Sequence, residues 1–496
     1  MASLLYYIKP CPQKQKYSKI RHLRAKKDSM RCYSVRCEGG NDLKSEQRNN
    51  GEGRKRLRIL IAGGGIGGLV LALAAKHKGF EVMTFEKDLS AVRGEGRERG
   101  PIQLSSNALA VLKAIDENAV EKIIKAGHIT GNKITGFADG ISGEWFTKFD
   151  LLTPAVMRRI PITQVICRMA LQEILVNAVG SEVVRNKSKV VDFIEDPSKV
   201  TVILEDGQQY DGDILVGADG IWSTVRSKLF GAQEAKYSSY TCYSGITNIV
   251  PPYIDTVGYR VFLGLNQYFV ALYIGNGKMQ WFAILELFGY WCNEVITLIM
   301  ETPEHMILQR DVYDRDMIYC WGIGRVTLLG DAAHPMLPNL GQGGCMAIED
   351  CYQLVLELDE LAKSGSDVQQ SNEIVSTLRR YEKKRMFRVS AVHAATRMAS
   401  NMLAAYLPYM EFAPAGPLFV SFSSMLFTSI TLLCFPVFEV ELKLNSCSSF
   451  LLQHLPTLRI KNPLFEGARA LLQFCLPHLV IWMMAGHGYE KDLMEK

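Results

Sequence analysis

The fold is decided by Leu57-Arg58-Ile59-Leu60-Ile61-Ala62-Gly63-Gly64-Gly65-Ile66-Gly67-Gly68, an apolar run that ends in a glycine-rich turn. Gly63 permits a tight turn off a strand, Gly65 lets a pyrophosphate approach the backbone, and Gly68 lets the next helix pack on the sheet. Eighteen residues further on, Glu86 closes a second apolar run, and its carboxylate suits the hydroxyl groups of a ribose. The pattern predicts a βαβ unit that binds a dinucleotide without a 2′-phosphate.

Length and charge limit the class of protein. The chain has 496 residues, of which 48% are hydrophobic, and this is enough for two or three packed domains. Residues 1–37 carry ten Lys/Arg and one acidic residue, so the formal net charge of +5 leaves the remainder slightly acidic. We therefore expect no nucleic-acid partner. The twelve cysteines include no C-x-x-C pair, so we also expect no metal site and no disulfide scaffold.

The N-terminal segment has the composition of an organelle transit peptide. It is rich in Lys and Arg, nearly free of acidic residues, and has no long apolar core. We predict a transit peptide and linker over residues 1–56, and the run Val35-Arg36-Cys37 resembles a chloroplast processing site. A disordered basic tail on a cytosolic protein is the alternative.

Periodicity predicts the elements that follow. Helical patterns cover Ser106–Ile115 and residues 163–179, and the second contains Arg168, a candidate for a phosphate contact. Short β-rich runs over Val183–Tyr210 predict a hairpin. The aromatic and β-branched stretch from Tyr237 to Glu286 predicts a second sheet, in which most rings fill the core and some line an apolar substrate cavity.

Two further apolar runs end in aspartate-containing turns. One ends in Gly217-Ala218-Asp219-Gly220 and the other in Gly330-Asp331-Ala332-Ala333-His334-Pro335. An aspartate at the carboxyl end of a parallel strand points to the ligand crevice of an α/β sheet. The second turn is followed by Gly341-Gln342-Gly343-Gly344, which opens a long helix. Amides at such a helix start can stabilise a ring that becomes negative on reduction.

These three signals, in this order, resemble the FAD-dependent single-component monooxygenases related to p-hydroxybenzoate hydroxylase, over residues 57–400. The resemblance implies an α/β fold, in which an FAD-binding Rossmann-like domain of the GR2 type carries an inserted mixed β-sheet substrate domain and long C-terminal helices. The domain ranges that it implies are FAD-binding segments at 57–135, 163–230 and 311–400, substrate-sheet segments at 136–162 and 231–310, and an atypical apolar tail at 401–496.

The resemblance also implies roles for individual residues. Arg99 and Arg168 contact the FAD, Asp331 binds its ribityl or pyrophosphate part, and Asp219 supports both the flavin and the approach of a reductant. A helix N-cap is the alternative for Asp331, and His334 is expected to be a packing or turn residue. The complete set of expected cofactor-binding residues is Gly63, Gly65, Gly68, Glu86, Arg99, Arg168, Asp219, Asp331, Gly341, Gly343 and Gly344.

Shorter motifs, among them Gly94-Glu95-Gly96, Tyr240-Thr241-Cys242-Tyr243 and the run from Gly341 to Asp350, most resemble the plant zeaxanthin epoxidases within this family. That likeness implies a flavin C4a-hydroperoxide that epoxidises the β-ionone rings of zeaxanthin, via antheraxanthin to violaxanthin, in xanthophyll and abscisic acid biosynthesis. An alkene needs no deprotonation, so no side chain is expected to be catalytic. The chain has one dinucleotide fingerprint, so the reductant is expected to be external, either NADPH or reduced ferredoxin, with O2 as co-substrate.

Three features depart from the zeaxanthin epoxidases. The motif around His334 has the wider monooxygenase form, the connection from Trp281 to Trp291 is short, and no forkhead-associated domain is recognised after the catalytic part. The alternatives are a related plastid monooxygenase that hydroxylates another apolar or aromatic metabolite, a non-catalytic FAD-binding paralogue, and a plastid prenyl reductase.

The C-terminal region contains an unusual apolar segment. Residues 413–438 carry no charge, and Leu418–Phe435 is long enough to just span a bilayer. A monotopic patch and a variant, mis-spliced tail are the alternatives, and peripheral contact with the thylakoid or envelope membrane is expected. The later stretch Ala468–Ala485 resembles the last helix of the family.

Overall fold

A computed structural model describes residues 56–90, 100–252, 256–264, 267–284, 291–364, 371–405 and 482–484. The predictions for the transit peptide, for Arg99, for most of the 281–291 connection and for the apolar segment 413–438 lie outside these residues. Within the described ranges, no helix combines the length and the apolar composition needed to cross a bilayer.

The β-strands follow one another as β1 Arg58–Ala62, β2 Glu81–Phe85, β3 Ile102–Leu104, β4 His128–Ile129, β5 Ile134–Asp139, β6 Trp145–Phe149, β7 Gln164–Ile166, β8 Val184–Arg185, β9 Val190–Glu195, β10 Val200–Leu204, β11 Gln209–Gly212, β12 Ile214–Gly217, β13 Lys236–Thr247, β14 Val257–Gly264, β15 Gln267–Tyr273, β16 Met279–Ile284, β17 Leu308–Asp314, β18 Gly322–Ile323 and β19 Val326–Leu328. The α-helices are α1 Ile66–His77, α2 Ser106–Ile115, α3 Glu117–Ala126, α4 Leu152–Met157, α5 Arg168–Val179, α6 Thr224–Phe230, α7 Asn293–Met300, α8 Gly343–Lys363 and α9 Ser371–Ala405. Short 3-10 helices cover Glu304–Met306, Gly330–Ala332 and Pro338–Leu340.

The first sheet has the order β18-β19-β12-β1-β2-β8. Strands β19, β12, β1, β2 and β8 run parallel, and β18 is antiparallel to β19. Ile59, Leu60 and Ile61 are fully buried, as is expected of a parallel strand covered on both faces. The carboxyl ends of β1, β12 and β19 carry the three glycine-containing turns, so the strand order brings those turns to one edge. The predicted α/β class is confirmed.

The second sheet has the order β17-β13-β16-β15-β14-β5-β6 and is mixed, because β5 and β14 are parallel and the other pairs are antiparallel. Successive side chains of a strand point to opposite faces. Phe262, Phe269 and Trp281 lie on the face that packs on α7. The other face, which we call the apolar face, also contacts Val165 of β7 and consists mainly of Val261, Leu263, Tyr268, Val270, Leu272 and Ile284.

Two local predictions are corrected. The helical pattern predicted over 163–179 is wrong for its first residues, because β7 pairs with β3 and the helix starts only at Arg168. Val165 and Ile166 are buried there and pack as a strand. The hairpin predicted over Val183–Tyr210 is part of a three-stranded antiparallel sheet of β9, β10 and β11.

The long helices α8 and α9 pack together, and residues 482–484 complete their core. Trp482, Met483 and Met484 are helical and buried, and they pack on Met346 of α8 and Val392 of α9. These three residues fall within the stretch Ala468–Ala485, for which the sequence indicates a final helix.

Candidate functional site

The turn after β1 has the geometry that its glycines predict. Gly63 has φ +108°, and a Cβ atom on it would overlap the carbonyl oxygen of Ala218. A Cβ atom on Gly68 would overlap the carbonyl oxygen of Gly63. Gly65, the N-cap of α1, has no heavy atom within 4 Å of such a Cβ. The turn is therefore closed on the protein side and open in front of the helix N-terminus, where an anion is favoured.

Glu86 lies beside this turn and is engaged by it. One carboxylate oxygen accepts a hydrogen bond from the amide of Gly64 at 2.6 Å, and the other accepts from the amide of Asp88 at 3.0 Å. Each oxygen retains capacity for a further hydrogen bond, since a carboxylate offers about four lone-pair sites. The carboxylate thus shapes the turn, in addition to the ribose contact that we predict for it.

Asp219 stands next to Gly63, at the end of β12. Its Oδ2 accepts hydrogen bonds from the amides of Thr224 at 2.7 Å and Val225 at 3.2 Å, whereas its buried Oδ1 has no partner among the described residues. Burial raises the pKa of Asp219, although these hydrogen bonds act in the opposite direction. A buried polar atom without a partner is rare in proteins, and beside a phosphate-binding turn it fits a polar group of a bound dinucleotide.

The turn after β19, at residues 330–335, and the glycine-rich segment at residues 341–344 meet at the start of α8. Gly330 has φ +59° and lies against Ala347, and a Cβ atom on Gly343 would be 3.6 Å from Oδ1 of Asp331. The N-cap residue of α8, Gln342, makes no side-chain capping bond, and a capping role of Asp331 stays an alternative. Asp331 lies beside the first turn of α8.

We call residues 338–344 the flavin turn, because we predict that its end contacts the isoalloxazine. Gln342 is fully buried there and donates a hydrogen bond to the hydroxyl of Ser105 at 3.1 Å. Its oxygen accepts one from Asn107 at 3.4 Å. Two side chains at the start of α2 therefore hold the turn from the side of the nucleotide-binding half.

A buried ionic cluster lies directly behind the flavin turn, and it comprises His334, Glu349, Asp350, Arg385 and Arg388. Arg385 bonds Glu349 at 2.8 Å and Asp350 at 2.7 Å, and Arg388 bonds Glu349 at 2.6 Å. Asp350 also contacts Nε2 of His334 at 2.6 Å and accepts from the amide of Gly330 at 3.1 Å. The cluster links α9, α8 and the Gly330 turn.

The positive groups of the cluster keep its two buried carboxyl groups ionised. Burial by itself would raise the pKa of Glu349, but Arg388 and Arg385 outweigh it and hold that pKa below its usual value. Burial by itself would also raise the pKa of Asp350, but His334 and Arg385 outweigh it and hold that pKa below its usual value. Both carboxyls are therefore ionised at neutral pH, as buried charges must be when they are paired and hydrogen-bonded.

Arginines outside the ionic cluster are the next candidates for contact with the cofactor. Arg168 is the first residue of α5 and is half-buried, and Arg99 lies outside the described residues. Arg226, for which the sequence suggests no role, is buried and reaches the carbonyl oxygens of Ala332 and Ala333, each at 3.4 Å. Burial and the nearby Arg315 lower the pKa of Arg226 to about 10.

Sequence reasoning missed the ionic cluster. His334 does more than pack, because its ring bonds to a buried carboxylate. The available signal was the adjacent pair Glu349 and Asp350 on a helix that is otherwise mostly buried, together with Arg385 and Arg388 at helical spacing i, i+3 on the next helix. Opposite charges on two packed apolar helices indicate a buried network.

The chain matches the family model described as "FAD binding domain" over residues 56–261 and 307–396, which is more than half of its length. It therefore belongs to this family of FAD-binding proteins.

Within the family it is a homologue of the plant proteins named zeaxanthin epoxidase, chloroplastic. It is 51% identical to that of Oryza sativa subsp. japonica over 456 residues, which cover 88% of this chain and 63% of the relative. The protein of Solanum lycopersicum is 50% identical, with 88% and 62% covered, and that of an Oncidium hybrid cultivar is 46% identical, with 96% and 68% covered. The chain thus spans about five eighths of the length of the first two relatives.

Solved structures share the fold at lower identity. HpxO of Klebsiella pneumoniae complexed with FAD and uric acid has a TM-score of 0.61 at 24% identity, and the match covers 72% of this chain and 91% of that one. A salicylate hydroxylase substrate complex has a TM-score of 0.58 at 19% identity, with 76% and 95% covered.

Proposed function

We propose that this protein is an FAD-dependent monooxygenase that epoxidises the β-ionone rings of zeaxanthin, via antheraxanthin to violaxanthin. The observation that carries the proposal is the 46–51% identity to chloroplastic zeaxanthin epoxidases over most of the chain. The apolar face, with its long row of aliphatic and aromatic side chains directed at the nucleotide-binding half, supports a large apolar substrate.

The cofactor roles follow the predicted set. Gly63, Gly65 and Gly68 with the N-terminus of α1 hold the pyrophosphate, and Glu86 holds the adenosine ribose. The unpaired Oδ1 of Asp219 bonds to the cofactor beside Gly63.

At the other end of the site, Asp331 binds the ribityl or pyrophosphate part of FAD. The amides of Gly341, Gly343 and Gly344 face the isoalloxazine, where the positive end of the α8 dipole favours the reduced, anionic ring. Arg168, and Arg99 outside the described residues, contact the cofactor.

When reduced, FAD supplies the activation of O2, from which one oxygen atom passes to the ring alkene and the other leaves as water. The described residues contribute enclosure: the apolar face keeps water from the site and orients the substrate ring. No side chain acts as a general base, because the alkene has no proton to lose. An external donor, NADPH or reduced ferredoxin, supplies the electrons.

The place of action that we propose is the chloroplast, at or near the membranes that hold the carotenoid. The basic, acid-poor segment of residues 1–37 supports import into the organelle. Peripheral contact of the chain with the thylakoid or envelope membrane would give it access to an insoluble substrate.

The proposal is tested by purifying the chain without residues 1–37, recording its flavin spectrum, and supplying zeaxanthin in lipid micelles with O2 and reduced ferredoxin or NADPH. We expect monoepoxide and diepoxide products by chromatography. Flavin that releases only peroxide would contradict the epoxidase function and favour a non-catalytic paralogue. Hydroxylation of another apolar ring compound would favour the related monooxygenase, and Gly68→Ala serves as the FAD-depleted control.

A further inference from the structure

One side-chain hydrogen bond joins the apolar face of the second sheet to the flavin turn. The hydroxyl of Tyr268 on β15 donates to Oδ1 of Asn339 at 2.8 Å. The amide nitrogen of Asn339 in turn donates to the carbonyl oxygen of Thr396 on α9 at 3.4 Å. Because the nitrogen faces a carbonyl, the oxygen of the Asn339 amide must face Tyr268.

Tyr268 carries a hydroxyl group into a mainly apolar surface. Aliphatic side chains, among them Val261, Leu263 and Val270, make up most of its buried surroundings. Burial raises the pKa of Tyr268 well above its usual value, so the hydroxyl remains a donor at any physiological pH. A buried tyrosine hydroxyl needs a partner, and Asn339 provides it.

The flavin turn is consequently held from two sides. Gln342 is bonded to Ser105 and Asn107 in the nucleotide-binding half, and Asn339 is bonded to Tyr268 in the substrate sheet. Two residues, Leu340 and Gly341, separate the two anchors along the chain. The bond of Tyr268 is thus a side-chain hydrogen bond that connects the substrate surface to the segment we assign to the isoalloxazine.

We propose that Tyr268 is a positioning residue, whose bond to Asn339 sets the separation between the substrate surface and the flavin turn and so decides how much activated oxygen reaches the substrate. This inference rests on the proposed function. Rates of oxygen transfer fall steeply when reacting groups are misplaced by about 1 Å. Loss of the bond should therefore uncouple O2 consumption from product formation.

The test compares Tyr268→Phe with Tyr273→Phe, which removes a hydroxyl from the same strand β15 on the opposite face, the one that packs on α7. We expect Tyr268→Phe to retain FAD and its melting temperature, to form about threefold to tenfold less product per O2 consumed, and to release the balance as peroxide. The visible circular dichroism of its bound FAD should change in the absence of any substrate. Tyr273→Phe should behave as the unmodified protein does in all these measurements.

Asn339→Ala and the double variant test the pair. If the two side chains act through one bond, the double variant should uncouple no more than either single variant. Unchanged coupling and an unchanged flavin spectrum in Tyr268→Phe would overturn the inference, as would equal effects of Tyr273→Phe. If the unmodified protein forms no epoxide, the proposed function fails. The flavin spectrum of Tyr268→Phe then shows by itself whether the hydrogen bond between Tyr268 and Asn339 positions the flavin turn.

Discussion

The two glycine-rich turns at the ends of the proposed cofactor site are built in different ways. The turn at Gly63–Gly68 is shaped by contacts among its own backbone, Ala218 and Glu86, and its surroundings are the apolar core of the first sheet. The flavin turn, in contrast, is held by side chains from α2, β15 and α9 and is backed by the buried ionic cluster.

The difference shows that the geometry of the two turns is fixed by different kinds of contact. The first turn is specified by steric exclusion over a short stretch of chain, which only glycine satisfies. The second is specified by charges and amides that meet only after the helices have packed, and their pairing requires every partner to be present. We therefore expect substitutions at the first turn to weaken cofactor binding, and substitutions in the ionic cluster behind the second turn to lower the stability of the whole fold.

The largest effect is expected for Arg385→Met. The change leaves Glu349 and Asp350 buried with less compensating charge, and breaking such a pair costs about 3–5 kcal/mol of the free energy of unfolding. The measurement is chemical denaturation monitored by circular dichroism. Lys189→Met, which removes the exposed pair of Lys189 with Glu205, is the matched control and should cost about 0–1 kcal/mol. Equal losses in the two variants would show that the cluster is not what secures the second turn.

The next largest effects are expected at the first turn, where two variants distinguish the stability of the protein from its affinity for FAD. Gly68→Ala forces a Cβ atom against the carbonyl of Gly63 and should cost about 1–3 kcal/mol of stability, with loss of bound FAD. Gly65→Ala meets no protein atom, so the stability of the cofactor-free protein should change by less than about 1 kcal/mol, while the Kd for FAD rises about tenfold or more. Fluorescence titration of the cofactor-free variants with FAD measures this. Wild-type affinity in Gly65→Ala would place the pyrophosphate elsewhere.

The ionic cluster should also give the fold a particular response to acid. The pKa values of Glu349 and Asp350 lie below their ordinary values of 4.5 and 3.8, so the unfolded chain binds more protons than the folded one in that range. The contribution of the two carboxyls is complete above about pH 5, and it is lost as the pH falls below 4.5 and 3.8 and through the lower pKa values of the folded state, by at most ~1.4 kcal/mol per pH unit for each. Unfolding titrations from pH 7 to pH 3 should show a shallower slope in a Glu349→Gln/Asp350→Asn variant. An unchanged slope would assign the acid sensitivity to other carboxyls.

The smallest effect is expected at Glu86. Glu86→Ala removes the acceptor for Gly64 and the proposed ribose contact, and the Kd for FAD should rise about tenfold, which corresponds to ~1.4 kcal/mol. Glu86→Gln retains an acceptor for the turn and should lose less. If both variants bind FAD as the unmodified protein does, the ribose assignment is wrong.

The parts of the fold that depend on local pattern could be predicted from the sequence. Alternating and continuous apolar runs give β1, α1 and β2 within a residue, and the glycine spacing gives the first turn. β7 could not be separated from α5, because a strand of three residues has no period of its own. The ionic cluster and the bond of Tyr268 to Asn339 join residues 16 to 71 positions apart, and no local pattern records which helix faces will meet.

The late position of residues 482–484 in the chain affects how the protein folds during its synthesis. They cover Met346 and Val392, and the carbonyl oxygen of Met483 accepts a hydrogen bond from Arg388, yet they are synthesised long after α8. At about 5–20 residues per second, the ribosome adds them on the order of ten seconds after Met346. During that interval the core between α8 and α9 has an uncovered apolar surface, so the nascent chain should be a target for chaperones until Trp482 docks.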